Sequence, residues 1–261
     1  MKLLLVDIGN TTADFRLYDT VTRELSPLIR PFTQDALNLT PEAIITDLEN
    51  AQLDVRELEA IIYVSVVPKL NETIRAIGAL WQLSVESLRH DLPVDWSRFK
   101  LPNLNLLGAD FVANFYGVEA SYQLKNCAVV ALGTATTIFV IQDGNFIGTT
   151  ISPGIQTSLQ GLYAQAALLS EMQYCYLPQP LGHNTFESMS IGTINGHYYM
   201  IQGLLAEMRK TMPLEQVLFT GGNMNYYRDL IDTDICFDET LIFKGLIYLY
   251  EQKYGNKATH A

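Results

Sequence analysis

The sequence has few charged residues, few basic residues and no long apolar run. Only 17% of its 261 residues are charged while 48% are hydrophobic, which excludes an intrinsically disordered chain. Lys and Arg number 17 against 28 Asp and Glu, and the resulting net charge of −11 disfavours nucleic acids and anionic membrane surfaces as partners. No apolar run reaches the roughly 18 residues that a membrane span requires.

Cysteine and histidine are also rare. The three separated cysteines form no C-x-x-C motif, and their odd number excludes a complete disulfide framework, which favours a reducing compartment. The four histidines show no metal-ligand spacing. The first apolar run is broken at Asp7, too early for a signal peptide, so we expect a cytoplasmic protein.

Two common nucleotide-binding fingerprints are missing, since the sequence contains neither G-x-x-x-x-G-K-[ST] nor G-x-G-x-x-G. A nucleophile elbow of the form G-x-S-x-G is missing too. The acid excess does not exclude a small anionic ligand, because such a ligand responds to local dipoles and bound cations more than to net charge.

Strand and helix patterns alternate along the chain and predict an α/β protein. The predicted strands are a hairpin over 3–18 and segments at 61–67, 128–132, 136–141, 146–151 and 216–220. The predicted helices cover 40–60, 69–82, the segment from Asp110 to about Ser121, 155–169, 185–212 and 240–253, and 91–105 is predicted to be a loop.

The opening hairpin pattern returns later in the chain. A shift of 124 residues superposes four identical pairs, which are Val6 on Val130, Gly9 on Gly133, Thr12 on Thr136 and Phe15 on Phe139. The same shift superposes Asp7 on Ala131. Because the identities fall on two strand–turn–strand units, they predict a duplicated protein with lobes at 1–114 and 115–261.

Three turns carry the candidate chemistry. Asp7-Ile8-Gly9-Asn10-Thr11 ends a buried strand and could cradle phosphate while Asp7 holds a hydrated Mg²⁺. The small and hydroxyl residues of 133–137 suit a second phosphate contact, and the paired glycines of Thr220-Gly221-Gly222-Asn223 could support a flat ring. Each turn alone is equally compatible with an ordinary tight turn, so the conjunction of all three is the informative feature.

A fourth motif, Gly108-Ala109-Asp110, precedes a predicted helix. Asp110 could be the N-cap of that helix. Alternatively, it could be the general base that accepts the proton of a substrate hydroxyl in phosphoryl transfer.

These motifs together resemble the type III pantothenate kinases, which belong to the actin-like and sugar-kinase superfamily. The resemblance covers nearly the whole chain in the same order, and its further elements are the S-V-V-P strand end at Ser65–Pro68, the first three residues of G-A-D-R at Gly108–Asp110, I-x-P-G at Ile151–Gly154, and the Asn184-Thr185 segment. It implies an α/β fold of two ribonuclease-H-like lobes with mixed sheets flanked by helices.

The resemblance also implies an activity, namely the ATP-dependent phosphorylation of pantothenate that begins coenzyme A biosynthesis, by a homodimer. It implies that Asp110 is the catalytic base and that Asp7 holds Mg²⁺ through water. The implied ATP contacts are Asp7, Ile8, Gly9, Asn10, Thr11, Thr12, Ala13, Asp14, Gly133, Thr134, Thr136, Gly221 and Gly222. The implied substrate contacts are Leu101, Gly108, Ala109, Asp110, Phe111 and Thr185.

Three positions depart from the family pattern. Phe111 replaces the arginine of G-A-D-R, Leu101 replaces a tyrosine, and Ala131 replaces the aspartate that binds the family's monovalent cation, K⁺ or NH₄⁺. Phe111 cannot form the forked hydrogen bonds of arginine with a carboxylate, and Ala131 removes an anionic ligand. Two alternatives therefore remain: a kinase for a less anionic hydroxyl substrate, or a dimeric binding or regulatory protein without catalysis.

Overall fold

The computed structural model describes residues 2–30, 40–51, 55–230 and 235–255. The strands, in chain order, are β1 (Lys2–Ile8), β2 (Ala13–Asp19), β3 (Leu58–Ser65), β4 (Ser84–Ser87), β5 (Cys127–Leu132), β6 (Ala135–Gln142), β7 (Asn145–Pro153), β8 (Gln216–Thr220) and β9 (Ile235–Phe237). The helices are α1 (Pro41–Asn50), α2 (Pro68–Trp81), α3 (Leu88–Asp91), α4 (Ala109–Ser121), α5 (Ile155–Gln165), α6 (Thr185–Met189), α7 (Gly196–Arg209) and α8 (Leu241–Tyr254).

The first of two compact units contains the described residues of 1–96, 103–123 and 240–261. Its sheet has the order β2-β1-β3-β4, in which β1 is antiparallel to β2 and parallel to β3. The four residues 3–6 of β1 are all buried, because helices cover both faces of this central strand. Leu4 and Val6 pack with Ile44 of α1 and Ile74 of α2 on one face.

The second unit contains residues 97–102 and the described residues of 124–239. Its sheet has the order β7-β6-β5-β8-β9, so β6-β5-β8-β9 repeats the β2-β1-β3-β4 order of the first unit. The pairing of β5 with β6 is antiparallel and that of β5 with β8 is parallel, as in the first sheet. The shared topology supports the predicted duplication.

The simple shift of 124 residues fails beyond the turn. Ile8 pairs with Ala13 in the first hairpin, but Leu132 pairs with Thr136 in the second, so the second turn is one residue shorter. Phe139 is therefore not the structural counterpart of Phe15. The register pair Asp7↔Asp14 corresponds instead to Ala131↔Thr137.

Several predicted elements need correction. The helix predicted over 40–60 ends at Asn50, and part of its second half forms the start of β3, while residues 52–54 of that prediction lie outside the described residues. The helix predicted over 185–212 consists of α6, a π-helical turn at Ser190–Asn195, and α7. Strands β4 and β9 were not predicted at all.

The division of the chain also differs from a boundary near residue 115. Helix α4 lies wholly in the first unit, and α8 belongs to that unit although it follows the second one in sequence. Within the described residues, no helix is both long enough and apolar enough to cross a membrane.

Candidate active site

The first unit brings three carboxylates to one region of its sheet. Asp7 and Asp14 are direct partners across the β1–β2 hairpin, and residues paired in this way have side chains on the same face of the sheet. Burial raises the pKa of Asp7 well above its ordinary value, and the negative charges of Asp14 and then Asp110 raise it further. The three side chains therefore interact electrostatically, and this region favours a cation.

Asp110 lies in the first turn of α4, two residues after the N-cap residue Gly108, so it is not itself the N-cap. Its carboxylate accepts hydrogen bonds from the backbone N–H groups of Asp110 and Phe111, which lower its pKa, but burial outweighs them and raises the pKa overall. Asp110 is half-buried as a residue. This arrangement suits a carboxylate that accepts a proton.

Arg30 is a cation beside Asp7 and Asp14, and it belongs to none of the predicted motifs. Its Nε and Nη2 donate to the two carboxylate oxygens of Asp14, each at 2.7 Å, in a forked ion pair. Its positive charge lowers the pKa of Asp7, against the larger effects of burial and the neighbouring carboxylates. No motif signals Arg30, because its position depends on pairing between β2 and an irregular segment.

The turn of the first hairpin presents the predicted phosphate motif. The backbone N–H of Gly9 donates to the carbonyl of Thr12 at 2.9 Å and closes the turn. Asn10 and Thr11 are exposed at its tip, whereas Ile8, Ala13 and Asp14 are buried in the strands. Among the predicted ATP contacts of this hairpin, the tip residues are thus the accessible ones.

The second unit contains a comparable turn at Gly133-Thr134, and both of these residues are exposed. The I-x-P-G segment, Ile151–Gly154, contacts this turn. Gly154 N–H donates to the carbonyl of Thr134 at 2.9 Å, and the Thr157 hydroxyl donates to the same oxygen at 2.6 Å. A Cβ at Gly154 would overlap the Gly133 carbonyl oxygen and lie 2.6 Å from that of Thr134. Glycine at 154 is therefore required by the close approach of the two segments.

Replacing Gly154 with alanine is expected to displace the Gly133-Thr134 turn and weaken ATP binding about tenfold, which corresponds to roughly 1.4 kcal/mol. Isothermal titration with ATP measures this change. Gly161→Ala is the matched control, because Gly161 lies inside α5 with open space around it. Equal ATP affinity of the two variants would contradict a role of this turn in nucleotide binding.

The third predicted turn follows β8. Gly221 has a φ of 88°, a left-handed conformation that favours glycine, and the exposed Gly222 begins a 3₁₀ turn. The Asn223 side chain donates to the carbonyl of Gly133 at 3.2 Å, which links this turn to the preceding one. The second and third predicted motifs are therefore neighbours within the second unit.

Thr136, also a predicted ATP contact, is buried. Its hydroxyl lies 2.7 Å from Nε2 of His197, whose pKa is lowered by burial. His197 follows the π-helical turn and was interpreted only as a packing or surface histidine. Thr136 thus has a protein partner, and its hydroxyl anchors the start of β6 to α7.

The position of the family's cation-binding aspartate is uncharged. Ala131 pairs with Thr137 on one side and with Thr220 on the other. Both threonines are buried, and the Thr137 hydroxyl has no hydrogen-bond partner among the described residues. The methyl side chain of Ala131 has no oxygen, so this position does not fit the family's K⁺ or NH₄⁺ site, in which an aspartate is the ligand.

The predicted substrate contacts are divided between the units. Gly108, Asp110 and the buried residues Ala109 and Phe111 belong to the first unit, at the start of α4. Leu101 belongs to the second unit, within a segment that pairs with β7 through the bridge between Phe99 and Phe146. Thr185 also belongs to the second unit, exposed at the start of α6, where Asn184 caps the helix by accepting from Glu187 N–H at 2.9 Å.

The comparison with known proteins decides the family. The sequence pattern of the type III pantothenate kinases matches residues 3–207. This chain belongs to that family. A relative named type III pantothenate kinase from Borrelia hermsii is 31% identical over 248 residues, which cover 93% of this chain and 91% of the relative.

Two solved structures of other proteins resemble the fold of this chain. A candidate Baf family transcriptional activator from Campylobacter jejuni has a TM-score of 0.62 at 22% identity, covering 96% of this chain and 98% of its own. A candidate 2-dehydro-3-deoxygalactonokinase from Sinorhizobium meliloti has a TM-score of 0.62 at 13% identity and covers 97% of each chain. With the two mixed sheets flanked by helices, these likenesses confirm the predicted actin-like and sugar-kinase fold class.

The residues of the first unit fit a hydrated Mg²⁺. Asp7 is only partly buried, and its carboxylate accepts no hydrogen bond within the described part of the chain. Mg²⁺ commonly binds through one or two carboxylates, water and substrate phosphates. Across the described ranges, no group of three or more His, Cys, Asp or Glu side chains is placed to hold a metal ion.

Proposed function

We propose that this protein transfers the γ-phosphoryl group of ATP to the hydroxyl of pantothenate, giving 4′-phosphopantothenate and ADP at the start of coenzyme A biosynthesis. The observation that carries the proposal is the half-buried Asp110 at the start of α4, electrostatically coupled to Asp7, in a chain that matches the family over residues 3–207. The protein is a homodimer in the cytoplasm under this proposal.

Asp110 is the general base of the reaction. Its carboxylate accepts the proton of the pantothenate hydroxyl while the hydroxyl oxygen forms a bond to the γ-phosphorus. The bond between that phosphorus and the bridging oxygen of the β-phosphate breaks, and ADP leaves. Positioning and charge neutralisation account for most of the rate enhancement in phosphoryl transfer. Asp7 would hold Mg²⁺ through water, and the metal would neutralise charge on the phosphates.

The nucleotide contacts are assigned by accessibility. At the first turn the contacts come from Asn10, Thr11 and Thr12, and at the second from the exposed Thr134. The N–H groups of Gly9 and Gly133 close their own turns, so these glycines contribute by allowing close approach of the ligand. Gly221 and Gly222 support the adenosine end. Thr136 acts indirectly, because its hydroxyl is engaged by His197.

One observation favours a second candidate substrate. Phe111 is buried and apolar where the family has arginine, so no forked contact with the pantothenate carboxylate arises at this position. The second candidate is therefore a kinase of the same mechanism acting on an uncharged relative of pantothenate. Gly108, Asp110 and Thr185 remain its substrate contacts.

A coupled assay of ADP release tests the proposal. We expect turnover with ATP, Mg²⁺ and pantothenate, and no dependence on K⁺, because Ala131 cannot bind it. A pantothenamide, in which an amide replaces the carboxylate, is the matched alternative substrate. A much higher kcat/KM for the amide would favour the second candidate, whereas ATP binding without turnover of either compound would contradict a kinase function.

A further inference from the structure

Arg30 lies outside the sequence motifs described above. It follows a segment that runs along the free edge of β2, which is also the edge of the first unit's sheet. Phe15 and Ile29 exchange two backbone hydrogen bonds, of 2.8 and 3.0 Å, and Ser26 N–H donates to the carbonyl of Leu17 at 2.8 Å. This pairing fixes the backbone that immediately precedes Arg30.

The side chain of Arg30 is fixed as well. Its two bonds to Asp14 form a planar fork, in which both carboxylate oxygens of Asp14 are used. The side chain of Asp14 is only 11% exposed, whereas that of Arg30 is 40% exposed. Asp14 thus holds a cation whose outer part faces solvent.

Arg30 is held close to the turn of the predicted phosphate motif. Asp14 is the direct partner of Asp7 across the hairpin, one residue from the pair Ile8↔Ala13 that borders the turn of the phosphate motif. Two carboxylates on one face repel each other and would also repel the phosphates of a nucleotide. The positive charge of Arg30, paired with Asp14, offsets this repulsion.

We propose that Arg30, presented by Asp14, binds the terminal phosphates of the nucleotide at the first hairpin turn. The inference rests on the proposed function, because it names a phosphate ligand of the same site. The ligand is a phosphate rather than a substrate carboxylate, because Arg30 is anchored beside the hairpin turn. Arginine is suited to this role because a guanidinium has five N–H donors, so one side chain can bind a carboxylate and an oxyanion together.

Titration calorimetry with ATP, ADP and AMP, each with Mg²⁺, tests the proposal. We expect Arg30→Met to weaken ATP binding roughly 10- to 100-fold, the usual consequence of losing a charged hydrogen bond, while AMP affinity changes little. Arg30→Lys should retain part of the ATP affinity because it keeps the charge. Arg75→Met is the matched control, since Arg75 is an exposed arginine on α2 of the same unit.

A double variant separates phosphate binding from simple charge masking. If Arg30 contacts phosphate, Arg30→Met combined with Asp14→Asn stays as weak toward ATP as Arg30→Met alone. If Arg30 only masks the charge of Asp14, the double variant recovers wild-type ATP affinity, which overturns the proposal. A rise in KM for pantothenate alone overturns it too, because it would make Arg30 a carboxylate ligand.

The wild-type protein distinguishes this inference from the function on which it rests. Binding of ATP by the wild type with unchanged binding by Arg30→Met overturns the inference and leaves the proposed kinase intact. Absence of ATP binding by the wild type overturns both. Thermal unfolding of each variant shows whether a loss of affinity reflects a loss of fold.

Discussion

The Asp110→Asn variant is expected to lose about 10²- to 10⁴-fold in kcat with pantothenate, the range that general-base catalysis contributes. The substitution keeps the size and the position of the side chain at the start of α4, but the amide cannot accept the hydroxyl proton. ATP affinity should change little, since the nucleotide contacts proposed above do not include Asp110. A steady-state coupled assay gives kcat, and calorimetry gives ATP affinity.

The matched control is Asp143→Asn, an isosteric change at an exposed turn residue of the second unit. Asp143 has a φ of 48°, a conformation that asparagine tolerates well. Burial raises the pKa of Asp110, so the acid limb of the wild-type pH profile for kcat/KM should lie above the ordinary titration range of aspartate. Activity rises with pH through that limb, because the base must be ionised. A kcat of Asp110→Asn close to that of Asp143→Asn would show that Asp110 is not the base.

The local motifs were predictable because each depends on residues adjacent in sequence. A glycine indicates the turn at Gly9–Thr12, and a short apolar run indicates the strand Gln216–Thr220. The Gly108-Ala109-Asp110 motif indicates the start of α4. The repeated hairpin predicted two duplicated lobes, but not the strand order of either sheet, and the one-residue difference between the two turns is visible only in the observed register. The π-helical turn at Ser190–Asn195 has no signal in the apolar spacing, so a single long helix was the natural prediction.

Residues that act through long-range contacts were not predictable. Arg30 is separated from Asp14 by a segment with Pro27, which does not resemble a strand, yet the segment pairs with β2. Thr157 and His197 bind Thr134 and Thr136 across wide separations in sequence. The glycines at the crossing of α4 and α8 were not predictable either. A glycine in a helix does not indicate, from sequence alone, which element packs against it or how closely the two backbones approach.

That crossing positions Asp110, since α4 carries this proposed general base and packs against α8 within the first unit. A Cβ at Gly245 of α8 would overlap the carbonyl oxygen of Ala113 and lie 2.9 Å from the backbone N of Gly117. Gly117 meets α8 in the same way, because its own Cβ would overlap the carbonyl oxygen of Leu241 and lie 3.0 Å from the Leu241 carbonyl carbon. The obstructing atoms are backbone, so no side-chain rotation relieves the overlap.

Adding one methyl group, as Gly245→Ala, is therefore expected to lower the free energy of unfolding by about 3 kcal/mol, near the upper end of the usual cost of overpacking. Urea unfolding measures the change. The matched control is Gly203→Ala in the interior of α7, where a Cβ meets open space and alanine should stabilise by about 0.5–1 kcal/mol. The two substitutions are chemically identical and differ in the sign of their expected effect.

Where the Gly245→Ala protein remains folded, its kcat should still fall, because α4 must move away from α8 and shift Asp110. Equal stabilities of the two variants would show that the helices do not depend on this close approach.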